Sequence, residues 1–147
     1  MPKRVENPRA RAQRLEGREQ YNYTLTTEDG EHRFQLYTRQ NIRPGMEDSF
    51  SCGLNVVKAN GETLTLCRYN GPSHPHRNHL EGEAFAFVCH IHTATERYLL
   101  AGRDAETFAT TTERFRTLQG ALHCLVTDCA VSGLEPTPDE PTLFPVP

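Results

Sequence analysis

The sequence predicts an α+β fold, an antiparallel β-sheet meander of about six strands packed against one C-terminal helix. Three features carry this expectation. Residues alternate in strand fashion across 21–36, the turn dipeptides Asp29-Gly30 and Asn60-Gly61 each interrupt a strand-like run, and Leu118, Ala121, Leu122, Leu125 and Cys129 recur at helical spacing.

Taken in order, residues 1–20 form a basic N-terminal arm with six basic and three acidic residues and few large apolar groups, expected to stay solvated or to dock on a partner. Tyr21, Tyr23, Leu25 and Thr27 then alternate with Asn22, Thr24 and Thr26, and the pattern resumes at His32, Phe34 and Leu36, so the first hairpin is placed there. Residues 40–50 contain Pro44-Gly45 and are expected as a loop. Residues 52–58 and 62–69 form the second hairpin. A loop over 70–83, with Gly71, Pro72, Pro75 and Gly82, delivers the chain into a fifth strand over 84–92 and a sixth over 97–101. Residues 104–116 are ambiguous, since Thr110-Thr111-Thr112 disfavours a helix that Asp104 is suited to cap. The helix starts at Thr117, runs for about 14 residues with Gly120 as a weak point, and stops before Gly133. Residues 134–147 carry five prolines and three acids and make a loose tail. One domain is therefore drawn over residues 21–133, which suits a chain of 147 residues.

Composition removes several functional classes. Net charge is -3, so broad electrostatic adhesion to nucleic acid is not expected, although a local phosphate site is compatible with it. No apolar run reaches the roughly 20 residues of a membrane span, and the N-terminus lacks the apolar core of a signal peptide; the expected location is cytoplasmic. The five cysteines include no C-x-x-C pair and are expected as small buried apolar residues. No phosphate-binding glycine loop or dinucleotide motif is present.

Residues 68–92 concentrate the chemistry. Five of the seven histidines fall there (His74, His76, His79, His90 and His92), with Arg68, Arg77, Asn78 and Glu81. Histidine titrates near neutrality and ligates metals, so the cluster points to proton transfer or to a metal site. On a strand His90 and His92 project to one face, and Phe85, Phe87, Cys89 and Ile91 to the other. Whether Arg68 shares the histidine face depends on register, which the sequence leaves open.

Tyr69-Asn70-Gly71, His76-Arg77-Asn78, Glu81-Gly82 and His90-Ile91-His92 resemble a pattern of short bacterial and prophage proteins, and more distantly the sequence is similar to TumE-type toxins of toxin-antitoxin pairs. The resemblance covers about residues 50–131 and has Asn70 where the pattern has an aspartate. It implies an RNA-targeting toxin whose partners are RNA or a cognate antitoxin protein. Cleavage of RNA without a metal needs a base for the ribose 2′-hydroxyl, an acid for the leaving oxygen and a cation for the phosphorane. His90 and His92 fit the first two roles with His76 as substitute, Arg68 or Arg77 the third; Asn78 orients the phosphate or a base edge, and Tyr69 stacks on a base.

Two alternatives stand beside this. His74, His76, Glu81, His90 and His92 are ligand types for zinc or another divalent metal, and H-x-H followed by Glu81 resembles the first cupin motif, although no second one follows. The other alternative is a non-enzymatic protein-interaction module using the same loop as its contact surface.

Overall fold

The structure, a computed structural model, describes residues 1–72, 76–78, 83–85, 89–93 and 109–139, with the backbone alone at 76–78, 83–85 and 109. Strand β1 is Lys3–Val5, β2 Gln13–Leu15, β3 Arg18–Thr27, β4 Arg33–Asn41, β5 Phe50–Val57, β6 Thr63–Asn70, β7 His76–Asn78, β8 Glu83–Phe85, β9 His90–Thr93 and β10 Ala109–Thr111; helix α1 is Leu118–Asp128 and β11 is Val131–Ser132. The α+β class is as the sequence predicts, with a larger sheet. Nine strands form it in the order β10-β9-β6-β5-β4-β3-β1-β11, with β2 attached to β3, and β7 and β8 make a separate pair.

Both predicted hairpins form. β3 and β4 pair from Arg18↔Asn41 to Thr26↔Arg33, and β5 pairs with β6 around a turn that Gly61 closes at φ 87°, a conformation costly for a side chain with a Cβ. The Asn60 side chain completes this turn by accepting from Glu62 N at 3.0 Å.

Several expectations need correction. The arm over residues 1–20 contributes β1, β2 and the start of β3, because β1 finds backbone partners in β3 on one side and in β11, parallel, on the other. Those pairings remove the reason for a solvated chain. The expected loop over 70–83 contains β7, which pairs with β8 from His76↔Phe85 to Asn78↔Glu83. The single strand over 84–92 is instead β8 and β9, belonging to different sheets. The ambiguous stretch supplies β10, while the sixth strand over 97–101 lies outside the described residues. The helix has 11 residues and stops at Asp128, where Ala130 takes a left-handed conformation at φ 54°; Gly133 comes only after β11.

The proline-rich tail is anchored as far as Asp139. Its carboxylate accepts from the Thr117 hydroxyl and from the backbone N–H groups of Arg116 and Thr117, just ahead of the helix, while Thr117 accepts from Gly120 N at 3.0 Å. A Cβ on Gly120 would collide with that carboxylate, which gives this helix-weakening residue a reason. Leu134 packs against the core from the same segment.

One face of the sheet buries Leu25, Leu36, Cys52, Leu54 and Tyr69 against Ala121, Leu122 and Leu125 of α1. Each fully buried leucine contributes about 1.5–3 kcal/mol. At the edge of this core Arg114 donates to both oxygens of Asp128 at 2.8 Å each, and the Tyr69 hydroxyl donates to the same carboxylate at 2.6 Å. The Arg114 guanidinium holds Asp128 below the usual carboxylate range, with Tyr69 assisting and burial opposing. A depressed carboxylate stabilises the fold above its unfolded pKa and loses that contribution as pH falls through the folded one. The urea midpoint is therefore expected to fall as the pH drops below the ordinary carboxylate range, and Asp128→Asn to flatten that dependence. Because half of the Arg114 side chain is exposed, screening limits the pair to about 1 kcal/mol or less. No helix among the described residues is long and apolar enough to cross a membrane.

Candidate functional site

A β-bulge decides which side chains meet. Leu64 pairs with Val56, which packs on the core, so strict alternation would send Leu66 and Arg68 to that side. The register shifts after Leu54: Leu54 pairs with Cys67 and Asn55 with Thr65, which leaves Leu66 as the extra residue. Beyond the bulge Cys67 and Tyr69 face the core. Arg68 and Asn70 face the other way.

The registers then align two rows across that second face. Gln20, Arg39, Ser51, Asn70 and His90 are successive partners across β3, β4, β5, β6 and β9, and Asn22, Tyr37, Gly53, Arg68 and His92 form the neighbouring row. A cleft of ≈ 330 Å³ opens over them, lined by Arg18, Arg39, Ser51, Arg68, Asn70, His90 and His92 among others. Among the described residues three guanidiniums and two imidazoles border it and no carboxylate does, a lining suited to an anion.

Its groups are held in place by their neighbours. Asn70, buried, donates from Nδ2 to His90 Nε2 at 3.3 Å, which requires a lone pair there and puts the proton of a neutral His90 on Nδ1. The His90 and His92 rings meet edge to face with centroids 4.9 Å apart, and the two residues are only 1% and 2% exposed. Arg39 donates to Gln20 Oε1 at 3.0 Å, Gln20 donates to Asn22 Oδ1 at 2.8 Å, and the Arg39 guanidinium carbon lies 4.8 Å from the Tyr37 ring. Gly53 makes room for that ring, since a Cβ there would sit 2.7 Å from the Tyr37 hydroxyl oxygen. Burial pushes the Tyr37 phenol up, against the pull of Arg68 and Arg39, so it stays a neutral hydroxyl at physiological pH. At the mouth of the cleft Gly71 lets β6 approach the Asp48 carbonyl and the Phe50 ring, and its N–H donates to Phe50 O at 3.0 Å.

Arg68 brings an unmet demand. Its Nε is buried without a hydrogen-bond partner among the described residues, as is Asn55 Oδ1 two residues along β5 from Gly53. An unpaired buried donor costs about 1–3 kcal/mol, and more when it belongs to a charged group. An anion beside Arg68 would relieve that cost.

Of the residues singled out in the sequence, the structure brings Arg68, His90 and His92 together. Tyr69 is a correction: it does not stack in the cleft, because the bulge turns it into the core, where it bonds Asp128 and packs on Phe115. His76, Arg77 and Asn78 form β7, of which only the backbone is described, and His74, His79 and Glu81 lie outside the described residues. Among the described residues no three histidine, cysteine or acidic side chains converge as a metal site; of the alternative ligand set only His90 and His92 are described with side chains, their rings 4.9 Å apart. Sequence reasoning missed Arg18, Arg39 and Ser51, and marked Asn70 only as the place where the resembled pattern has an aspartate. The parity of the two hairpins was the available signal, since it sets Gln20, Arg39 and Ser51 opposite the core-facing Tyr23, Leu36 and Cys52.

The fold and the cleft thus define a small α+β protein with a cationic, histidine-bearing site on the sheet face opposite its helix. No family model, curated protein or solved structure matches the chain.

Proposed function

We propose that the protein is a small toxin-like ribonuclease that cleaves single-stranded RNA without a metal, in the cleft over Arg68, His90 and His92. The observation that carries this reading is the buried Nε of Arg68, without a partner among the described residues, in a cleft that those residues border with three arginines, two histidines and no carboxylate. A phosphodiester answers that demand with an anion and acceptor oxygens. In the reaction one imidazole takes the proton of the ribose 2′-hydroxyl, the 2′-oxygen attacks phosphorus, and the other imidazole protonates the departing 5′-oxygen. The rings of His90 and His92 stand 4.9 Å apart, so base and acid belong to one site. Arg68 neutralises the phosphorane, and Arg39 and Arg18 hold the flanking backbone. The partners implied are RNA and a cognate antitoxin protein.

The test is incubation of the purified protein with a labelled single-stranded RNA in excess EDTA. Products ending in a 2′,3′-cyclic phosphate are expected; intact RNA, or cleavage abolished by EDTA, overturns the reading. Arg68→Ala is expected to lower kcat about 10²–10³-fold, as for loss of one donor to a transition-state oxyanion, with partial recovery in Arg68→Lys.

A further inference from the structure

The thiols of Cys67 and Cys129 lie 3.8 Å apart, one on β6 and the other capping the end of α1. All five cysteines are free, and Cys129 alone among them is half-buried while the others are buried. A disulfide needs its sulfurs about 2.05 Å apart, so these two have under about 2 Å to close. The surroundings also favour a thiolate at one partner. The Cys67 thiol hydrogen-bonded to Cys129 holds Cys129 below the ordinary thiol range; Lys3 adds to this and burial opposes it. Lys3 is buried, and its ammonium donates to the backbone carbonyls of Cys129 at 2.8 Å and Met1 at 2.7 Å, which fixes a positive charge at the Cys129 backbone. Cys67 and Cys52 are pushed up and stay protonated.

We infer that Cys129 and Cys67 form a reversible redox site for small hydroperoxides, Cys129 as the attacking thiol and Cys67 as the resolving one. The Cys129 thiolate attacks a peroxide oxygen, the O–O bond breaks, and the departing hydroxide takes a proton to leave as water. Cys129 is then a sulfenic acid. Cys67 gives up its proton and attacks the Cys129 sulfur, the S–O bond breaks, and the second oxygen leaves as water. Two thiols have lost two electrons and the peroxide has gained them. The bond ties β6, one residue before Arg68, to the end of the helix across the core, closing a loop between positions 62 apart in sequence. It rests on none of the residues that line the cleft.

The experiment treats the full chain with an equimolar amount of hydrogen peroxide, blocks remaining thiols with N-ethylmaleimide, and maps the digest by mass spectrometry with fragmentation between Cys124 and Cys129. The expected product is lighter by two hydrogens, links Cys67 to Cys129, leaves Cys52, Cys89 and Cys124 alkylated, and reverts with dithiothreitol. Cys124→Ala is expected to keep the link. Cys129→Ser, at a half-exposed position that tolerates a hydroxyl, is expected to lose it with no other disulfide replacing it. A link from Cys67 to Cys52 or Cys124, sulfinic acid at Cys129 with Cys67 still alkylated, or five alkylated cysteines overturns the inference.

Discussion

His92→Ala is expected to lower RNA cleavage by about 10²–10⁴-fold, the range for loss of a positioned acid or base, with His90→Ala falling in the same range. The two losses are not expected to multiply, because groups that act as one unit are already disabled by removal of either. The pH profile separates chemistry from packing. A wild-type rate that depends on one neutral and one protonated imidazole rises and then falls with pH, and each single variant removes one limb: the acid limb disappears with the base, the alkaline limb with the acid. Loss of packing alone lowers the whole curve without changing its shape. Both side chains are buried, so each alanine also leaves a cavity; rates are therefore compared well below the variants' melting temperatures. Two folded variants with undiminished rates would remove these histidines from the chemistry.

The same residues show how far the sequence could be read. That His90 and His92 share a face follows from strand periodicity, and they do. What surrounds them does not follow, because it depends on the bulge at Leu66, which changes the phase of β6 in mid-strand. Nothing in Leu64-Thr65-Leu66-Cys67 marks that extra residue, and without it Arg68 would point into the core and Tyr69 out of it. The hairpins were legible because their turns are local chemistry: Gly30 and Gly61 take φ 71° and 87°, which glycine does at no steric cost. The first 20 residues were misread because their partners are remote. Lys3 pairs with Val131 and Thr27, so the placement of β1 depends on the far end of the chain rather than on its own composition. Asp139 is a similar case, a residue in a proline-rich stretch whose role at the helix start emerges only when the tail folds back.

Phe115→Ala is expected to be the most destabilising single change, at about 3–5 kcal/mol. Phe115 is 1% exposed and lies just outside α1, in the stretch whose sequence was ambiguous. Its ring meets Phe50 edge-on at 6.3 Å and 61°, and Tyr69 at 5.9 Å and 33°. Such aromatic pairs contribute about 0.5–1.5 kcal/mol beyond the area they bury. Against a total stability of about 5–15 kcal/mol, their loss together with the cavity takes a large share of the margin. The consequence reaches the cleft through the two partners. Phe50 is one of its lining residues, and Tyr69 stands between Arg68 and Asn70 on β6, so the ring that supports the core side of β5 and β6 also fixes the strands that present the cationic face. Phe115→Leu keeps most of the volume and is expected to cost under about 1.5 kcal/mol if the site repacks. Urea denaturation of the two variants, followed in parallel by far-UV circular dichroism and by RNA binding, gives the check. In Phe115→Ala both signals are expected to shift to the same lower midpoint, because packing and cleft belong to one cooperative unit. Separate midpoints would mean that the cationic face holds its arrangement without the aromatic cluster behind it.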